Sequence, residues 1–310
     1  MLRVTQSNSA ARAKSYYSTA DYYTEGQELV GLWRGKGAAR LKLSGMIDRD
    51  DWDLLMKTEL ARYPLTGRFL MGRLRHAMGE REKEILETSI VETEEFSSAH
   101  RLLSRGDVCE RSTMLIDGFM LRTIHENGQR YIVGIQVPGD FVDLHAFALK
   151  RLDHDLVTVG PARVGFVTHD RLRDLMRSEP HLSRLFWFST LLDAAIHRQW
   201  TLKLGQLKAA RRVAHLFSEV WCRLDMVGLA RPNGFRTPLT QADLADMCGT
   251  TAIHMNRALS ELRRGGIGEF RRGLVTAPDR AALEAYGDFK ADYLYGEGSL
   301  HIGEHLSITD

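Results

Sequence analysis

One segment near the C-terminus limits the possible folds of this chain more than any other. Residues 238–270 have the sequence PLTQADLADMCGTTAIHMNRALSELRRGGIGEF. Thr240 can cap a helix through its hydroxyl, and Asp243, three residues later, can bond back to that cap. Gly249 provides the left-handed residue that ends such a helix. The spacing therefore predicts a helix, a tight turn and a second helix.

The second predicted helix has two unlike faces. A hydroxyl of Thr250 or Thr251 caps its start. Met255, Leu259 and Leu262 recur at helical spacing, which predicts a buried row. The opposite face, near the helix N-terminus, carries Ala252, Ile253, Asn256, Arg257 and Ser260. In helix-turn-helix proteins this face meets base edges in the major groove, so the segment predicts a DNA-recognition helix.

Particular side chains on this face suit particular contacts. Arg257 is the strongest candidate to read a guanine, because its planar fork matches the O6 and N7 acceptors. His254 or Asn256 could contact a base or a phosphate. The hydroxyls of Thr250 and Thr251, with the amides of the helix N-terminus, could hold phosphates. The alternative is an ordinary helical hairpin with Arg257 on a solvated face.

A basic hairpin follows the second helix. The stretch IGEFRRGLVTA predicts two strands with Arg271 and Arg272 at the tip, lying along the DNA backbone as a wing. Residues 205–273 hold eleven Lys or Arg against six Asp or Glu, so this region is locally basic although the net charge is only +2. The predicted DNA-contacting residues are Thr240, Gln241, Thr250, Thr251, Ala252, Ile253, His254, Asn256, Arg257, Ser260, Arg271 and Arg272.

The composition excludes several classes of protein. Of the 310 residues, 44% are hydrophobic and 26% are charged, as in folded domains. No run approaches the roughly 18 apolar residues that cross a bilayer, and the first residues lack the apolar core of a secretory signal. We therefore expect a cytoplasmic protein without a membrane partner. Three well-separated cysteines favour neither disulfides nor a metal cluster: Cys109, Cys222 and Cys248.

Strand-like runs and a long helix precede the helix-turn-helix. Between residues 94 and 168, runs such as FMLRTI and RYIVGIQV are separated by glycine turns, which predicts an antiparallel roll or barrel. In the long helix that follows, one apolar stripe contains Leu182, Leu185, Leu192, Ile196 and Leu204, and another contains Phe186, Phe188 and Leu191. A helix that is apolar on two sides favours packing on its own domain and on a second subunit.

From about residue 70 to residue 292 the sequence resembles the Crp/Fnr family of bacterial regulators. The resemblance is carried by VPGDFVDLHAF (137–147), the helix around residues 186–195, LGQLKAARRVAHLFSEVWCRL (204–224) and residues 238–267. It implies a cyclic-nucleotide-binding-like β-roll, a homodimer joined by a coiled coil over residues 182–204, and a winged helix that binds an inverted repeat in double-stranded DNA. It also implies transcription regulation, with RNA polymerase as a partner.

The ligand site departs from the cyclic-AMP-binding members of that family. Those members grip the ribose with a Glu and the cyclic phosphate with an Arg-Ser pair, whereas the corresponding stretches here are Asp-Leu-His (143–145) and Asp-His-Asp (153–155). An acidic site that lacks the Arg repels a phosphate, so cyclic AMP is not expected as the effector. An unknown small-molecule effector and an unliganded regulator controlled by its own abundance both remain open. The candidate ligand-binding residues are Asp143, Leu144, His145 and His154.

No cofactor and no metal are predicted. The cysteine cluster of the oxygen-sensing members is missing from the N-terminal region, which argues against an iron-sulfur cofactor. His145, His154 and His169 can be pictured as haem or metal ligands, but lone histidines among strands are more often surface or hydrogen-bonded residues. In the recognition helix, Ala252 and Ile253 stand where many members carry polar base-reading residues, which leaves open the target sequence and even a lapsed DNA-binding face.

The N-terminal segment resembles the start of MobF-type conjugative relaxases. The matching residues, Ala13 to Trp52, are AKSYYSTADYYTEGQELVGLWRGKGAARLKLSGMIDRDDW. In that family such tyrosines attack a DNA phosphodiester, a role that the resemblance would give to Tyr16, Tyr17, Tyr22 and Tyr23. The chemistry also needs a metal on a later histidine triad, which is missing here, so we expect a fragment without catalytic residues. A functional anchor, a recombination remnant and a misplaced start ahead of Met71 all remain open.

The sequence thus predicts an α+β chain that is not an enzyme, the alternative being a relaxase-like DNA-strand transferase. Its expected parts are a relaxase-like fragment (1–63), a β-roll sensor domain (64–180), a dimerisation helix (181–205), a winged helix-turn-helix (206–280) and a polar tail (281–310).

Overall fold

Two antiparallel sheets form the sensor half of the chain in a computed structural model that describes residues 49–296, with side chains described from residue 51. The first sheet has the order β1-β7-β3 and the second has the order β2-β6-β4-β5. The strands are β1 (Glu92–Phe96), β2 (Arg101–Leu103), β3 (Arg111–Asp117), β4 (Met120–Glu126), β5 (Gln129–Gln136), β6 (Asp155–Thr158) and β7 (Ala162–Thr168). Both sheets contribute to one hydrophobic cluster, with Leu115 and Phe166 from the first and Met120 and Leu156 from the second.

The hairpin between β4 and β5 follows from its turn residues. Asn127 has a φ of 51° and Gly128 a φ of 73°. Positive φ at both central residues is the requirement of the tight turn that matches the twist of two paired strands, and Asn-Gly is the pair that adopts it most readily. The glycine-punctuated strands predicted from the sequence are therefore present.

Helices surround the roll and build the C-terminal half. They are α1 (Arg49–Arg62), α2 (Glu80–Ser89), α3 (Ala146–Leu149), α4 (His169–Ser178), α5 (Pro180–Gln206), α6 (Ala209–Met226), α7 (Gln241–Met247), α8 (Ala252–Arg264) and α9 (Arg280–Tyr286), with single 3-10 turns at Arg75–Ala77 and Ala291–Leu294. A third sheet, of order β8-β10-β9, consists of β8 (Gly234–Arg236), β9 (Glu269–Arg271) and β10 (Leu274–Thr276). The predicted α+β class, with strands, a long helix and a C-terminal helix-turn-helix, is confirmed.

The long helix α5 differs in detail from its predicted stripes. Leu182, Leu185, Leu192 and Ile196 are buried as predicted. Phe186, however, is buried as well, where its ring packs against Phe69 and Phe141. The large apolar side chains that α5 leaves exposed are instead Trp187 (65%), Leu191 (52%), Leu202 (47%) and Leu204 (37%). The sequence missed Trp187 because the flanking aromatic residues made the whole stretch look equally apolar.

The C-terminal core includes residues for which the sequence predicts no element and residues that it places in the tail. Phe235 of β8 is buried beside Trp221 and Phe217 of α6. Leu283 and Leu294 are also fully buried in this core. The sequence analysis predicts no strand at β8, because the strand is only three residues long and depends on pairing with β10. Residues 280–294 are likewise folded onto the core, although the tail was expected to begin at 281.

Helix α1 packs on the regulator-like part of the chain. Met56 is buried with Met71 and Val227. Glu59 accepts hydrogen bonds from Arg75, with Nε at 3.1 Å and Nη2 at 3.0 Å, and from Lys83 Nζ at 2.6 Å. The described part of the segment predicted as relaxase-like therefore packs on the regulator-like part through a small hydrophobic cluster and buried ion pairs. Between residues 49 and 296, no helix is both long and apolar enough to cross a membrane.

Candidate nucleic-acid interface

The helix-turn-helix is fixed by the local interactions that its sequence predicts. Thr240 Oγ1 accepts a hydrogen bond from the Asp243 amide at 3.2 Å, and Asp243 Oδ2 accepts one from the Thr240 amide at 2.8 Å. This reciprocal pair satisfies two amides at the start of α7. Gly249 follows α7 with a φ of 56°, and a Cβ there would lie 3.2 Å from Leu204 of α5. Thr251, rather than Thr250, caps α8 by accepting from the His254 amide.

The two faces of α8 separate as the spacing predicts. Met255, Leu259 and Leu262 are buried against α6 and α7. The exposed face consists of Ala252, Ile253, His254, Asn256 and Arg257, with Ser260 half-buried at its edge. Ile253 is 68% exposed, which is unusual for a β-branched apolar side chain on a helix. Among residues 51–296, no hydrogen bond or ion pair engages the Arg257 guanidinium.

The wing lies beside the start of α7. Its tip carries Arg271 and Arg272, both exposed, and Arg272 adopts a φ of 51° that closes the turn with Gly273. A cleft of about 770 Å³ lies between the wing and the N-terminus of α7. Its lining includes Thr240, Gln241, Arg263, Arg271 and Arg272. Arg263 was not among the predicted contact residues, although its place one turn beyond Ser260 on α8 could have suggested it.

A second cleft, of about 650 Å³, flanks the other side of the recognition helix. It is lined by residues of α6, α8 and α9, including Lys208, Arg211, His254, Arg257, Glu261 and Tyr286. Lys208, just before α6, and Arg211 on α6 are exposed, and neither was among the predicted DNA-contacting residues. The fold therefore brings cations from three separate segments to the surface around α8, which a local motif cannot reveal.

The predicted ligand residues of the roll divide into two groups. Asp143 is fully buried, and its carboxylate accepts hydrogen bonds from the Thr113 amide and from Thr113 Oγ1 at 3.0 Å. Burial raises the pKa of Asp143 to about 7, although the bonds from Thr113 oppose this shift. Leu144 is buried beside Phe141 in the hydrophobic core. These two residues support the loop from inside, and their assignment as ligand contacts stays a prediction.

His145 and His154 do come together. Their ring centroids are 5.5 Å apart, and His154 Nδ1 lies 2.6 Å from Asp153 Oδ1. Burial, with a contribution from the Arg122 charge, lowers the pKa of His145 to about 4, and burial likewise lowers the pKa of His154. Both rings are therefore neutral at pH 7. His169 lies elsewhere, with Nε2 at 3.3 Å from Ser112 Oγ, which fits the hydrogen-bonded interpretation of that residue.

An arginine that the sequence did not assign to this region reaches it from β4. Arg122 is buried; its Nε and Nη2 donate to the Val142 carbonyl, and its Nη1 pairs with Asp193 of α5. The expectation that the site lacks a guanidinium was therefore incomplete. All three of these nitrogens are engaged within the protein, and they tie the roll to the long helix.

Two family models match the chain. Residues 211–286 match the Crp-like helix-turn-helix domain. Residues 10–112 match the TrwC relaxase. The second match runs past the predicted boundary at residue 63 and covers β1 and β2 of the roll, so that boundary stays a prediction. The tyrosines at 16, 17, 22 and 23 lie outside the described residues.

Similar proteins and structures agree with the first match. The chain is 27% identical over 201 residues to the transcriptional activator protein FnrL of Cereibacter sphaeroides, a match that covers 62% of the chain and 79% of FnrL. It is 24% identical to the nitrogen fixation regulation protein FixK of Bradyrhizobium diazoefficiens, covering 61% and 79%. The structure of FixK2 from Bradyrhizobium japonicum superposes with a TM-score of 0.57 at 20% identity, covering 63% of the chain and 96% of FixK2. The curated relatives are transcriptional regulators and not enzymes.

Proposed function

Because the chain is a Crp/Fnr-type transcriptional regulator with a helix-turn-helix DNA-binding domain, we propose that it binds an inverted-repeat site in double-stranded DNA as a homodimer. Each subunit inserts α8 into the major groove of one half-site. The proposal implies a cytoplasmic protein that works with RNA polymerase and responds to a small effector bound by the roll.

The exposed face of α8 is the observation that carries this proposal. The Arg257 side chain is exposed, and it has no hydrogen-bond or ion-pair partner among the described residues. Its guanidinium is therefore free to bond with the O6 and N7 of a guanine. Asn256 and His254, on the same exposed face, suit a base edge or a phosphate. Ile253, at 68% exposure, suits an apolar contact with the methyl group of a thymine.

Backbone contacts come from the surfaces on either side of α8. Arg271 and Arg272 on the wing, with Arg263 behind them, suit phosphates of one strand. Further predicted phosphate contacts lie near the N-termini of α7 and α8, from the hydroxyls of Thr240, Thr250 and Thr251 and the side-chain amide of Gln241. Ala252 and Ser260 border the base-reading face. These contacts supply affinity that falls with salt, and the α8 face supplies specificity.

The apolar side chains that α5 leaves exposed support the homodimer. Trp187, Leu191 and Leu202 recur at intervals of four and eleven residues, which places them along one side of the helix. A long helix with such an uncovered row is a natural coiled-coil partner for a second copy of itself. Two recognition helices joined in this way read half-sites about one helical turn apart.

Selection from a random duplex library with the full-length chain tests the DNA proposal. We expect a two-fold symmetric site, and we expect Arg257→Ala to lose one guanine preference and about 1–3 kcal/mol of binding free energy. Arg177→Ala, an exposed arginine on α4, is the matched control and should select the wild-type site. Recovery of no symmetric sequence, with or without cell extract as a source of effector, would overturn the proposal.

Sedimentation of a charge-substituted variant tests the dimer separately. Leu191→Glu places a carboxylate in the exposed row of α5, so we expect it to sediment as a monomer where the wild type sediments as a dimer. Leu149→Glu is the control, because Leu149 is an equally exposed leucine on α3. A dimer that survives Leu191→Glu would show that another surface joins the subunits.

A further inference from the structure

After its last helix the chain folds back onto the junction between its two halves. At this junction α5 ends at Gln206 and α6 begins at Ala209, so only two residues join the two helices. Residues 287–296 follow α9 and lie beyond the matched family domain, which ends at residue 286. They return to the junction and contact α5, α6 and the sensor half. We call residues 287–296 the C-terminal strap.

Tyr293 attaches the C-terminal strap to α6. Its hydroxyl donates to Glu219 Oε2 at 2.8 Å. Glu219 is fully buried, and both of its carboxylate oxygens also lie 3.1 Å from Trp200 Nε1 of α5. Burial, with a contribution from the Glu219 charge, raises the pKa of Tyr293, so the hydroxyl keeps the proton that it donates. One buried carboxylate therefore holds α5, α6 and the strap together.

The next two residues attach the C-terminal strap to the sensor half and to α5. The Leu294 carbonyl accepts a hydrogen bond from Nε of the buried Arg73 at 2.8 Å. Arg73 lies between α1 and α2, next to Leu74, which packs in the same cluster as residues of β3 and β7. The ring of Tyr295 lies edge to face against Phe188 of α5, with centroids 6.0 Å apart. The strap thus contacts each part of the chain that separates if the C-terminal half turns on the roll.

The carboxylate beneath the C-terminal strap is linked to the roll as well. Arg223 of α6 is buried, and its Nη1 lies 3.6 Å from Glu219 Oε1. The same guanidinium donates to the Ile135 carbonyl of β5 at 3.0 Å and to Asp140 Oδ2 at 2.6 Å. A buried polar group that loses its partner costs free energy. A turn of α6 on the roll therefore has to break several buried polar contacts together.

We propose that the C-terminal strap locks the DNA-binding half on the roll, and that it has to release before the two halves can turn relative to each other. The strap holds α5, α6 and the sensor half while the base-reading face of α8 stays exposed. Its effect on DNA binding rests on the proposed function. A dimer with locked halves presents its two recognition helices at one spacing, so the lock favours binding to the inverted repeat.

Hydrogen exchange in the full-length chain tests the lock without DNA. The amides of Leu207 and Arg212 close helical turns on either side of the junction, and they become accessible when α6 turns on α5. We expect Tyr293→Phe, which removes only the hydroxyl, to speed their exchange by roughly tenfold or more. Tyr131→Phe makes the same chemical change at an exposed tyrosine of β5, and this control should exchange as the wild type does.

A second variant acts at a different contact of the C-terminal strap. Tyr295→Ala removes the ring that packs on Phe188, and because Tyr295 is only half-buried the fold should survive the change. We expect faster exchange at the junction in this variant too. Lys290→Ala, at an exposed position of the strap, is its control. If neither Tyr293→Phe nor Tyr295→Ala changes the exchange, the strap does not lock the two halves.

Binding to the duplex selected with the wild type tests the consequence for DNA. We expect the double variant Tyr293→Phe/Tyr295→Ala to bind several-fold more weakly, because only the molecules in the competent arrangement bind. Faster exchange with unchanged DNA affinity would overturn the effect on DNA binding alone. Absence of DNA binding by the wild type would overturn the proposed function and leave the exchange result standing.

Discussion

His215 is a buried histidine in the C-terminal core, and it makes stability depend on pH. Its Nδ1 lies 3.1 Å from the Gly287 carbonyl, and its ring packs against Phe289 and Tyr293. Burial lowers the pKa of His215, although the nearby Glu219 charge opposes the shift. The unfolded chain, whose histidines titrate near 6.5, therefore takes up this proton at a higher pH than the folded chain does.

The sign of the effect follows from that difference. The free energy of unfolding is unaffected by His215 above about pH 6.5. It decreases as the pH falls from there toward the lowered pKa of the folded state. At pH 5.5 the loss from His215 is at most about 1.4 kcal/mol. His215→Asn keeps a hydrogen-bond donor for the Gly287 carbonyl but does not titrate. The free energy of unfolding by urea should therefore differ less between pH 7.5 and pH 5.5 in the variant than in the wild type. An equal difference in both proteins would contradict the assignment.

At the scale of single residues, the sequence predicts what depends on local spacing. The exposed face of α8 and the caps at Thr240 and Thr251 follow from helical periodicity and hydroxyl chemistry within a few residues. Asp143 could not be placed in the same way, because its partner Thr113 is thirty residues away and lies on another strand. The ion pair between Arg122 and Asp193, which are 71 residues apart in the sequence, could not be predicted for the same reason.

Helix α1 is an element whose role the sequence left open, and its ion-pair contacts predict that it stabilises the fold. Glu59 is nearly buried, and it pairs with the buried cations Arg75 and Lys83, of which Lys83 also pairs with the half-exposed Glu80. Glu59→Ala removes the carboxylate from both ion pairs. Removal of one partner of a buried ion pair lowers the free energy of unfolding by about 3 kcal/mol. Thermal unfolding of the full-length chain should therefore begin at a markedly lower temperature in this variant.

Glu84→Ala is the matched control for that substitution. Glu84 also pairs with an arginine near the end of α1, Arg62, but both partners are largely exposed. Such a surface pair is screened by solvent, so we expect the control to unfold close to the wild-type temperature. Equal effects of the two substitutions would mean that Glu59 does not anchor α1.

The elements were predicted with uneven success, and length explains why. Long or strongly punctuated elements such as α5, α8 and the β4–β5 hairpin carry their own pattern. The family resemblance, which rests on residues 137–147, 186–195, 204–224 and 238–267, is confirmed by the matched domain and relatives. Strand β8 has three residues and acquires its structure from β10, so no local signal marks it. The exposed row on α5 was misassigned because periodicity alone does not say which of two apolar stripes its own domain covers.

At the scale of the whole molecule, one arginine links the sensor roll to the DNA-binding half. Arg130 of β5 donates through Nε to Asp246 at 2.8 Å and through Nη2 to Asp243 at 2.7 Å, and both acids lie on α7. The hydrogen bonds and charges of these two acids raise the pKa of Arg130. The helix that supports the recognition helix is therefore tied directly to a strand of the roll.

A double-mutant cycle measures how much this link contributes. Arg130→Ala and Asp246→Ala remove the two sides, and Asp246 is chosen because Asp243 also caps α7. We expect a coupling free energy of about 1 kcal/mol, the upper range for a partly exposed pair, because one guanidinium binds two carboxylates. Hydrogen exchange should become faster in α7 in Arg130→Ala but not in Arg105→Ala, whose ion pair with Glu126 stays within the roll. Additivity within about 0.3 kcal/mol, with unchanged exchange in α7, would mean that the Arg130 ion pair does not hold α7 on the roll.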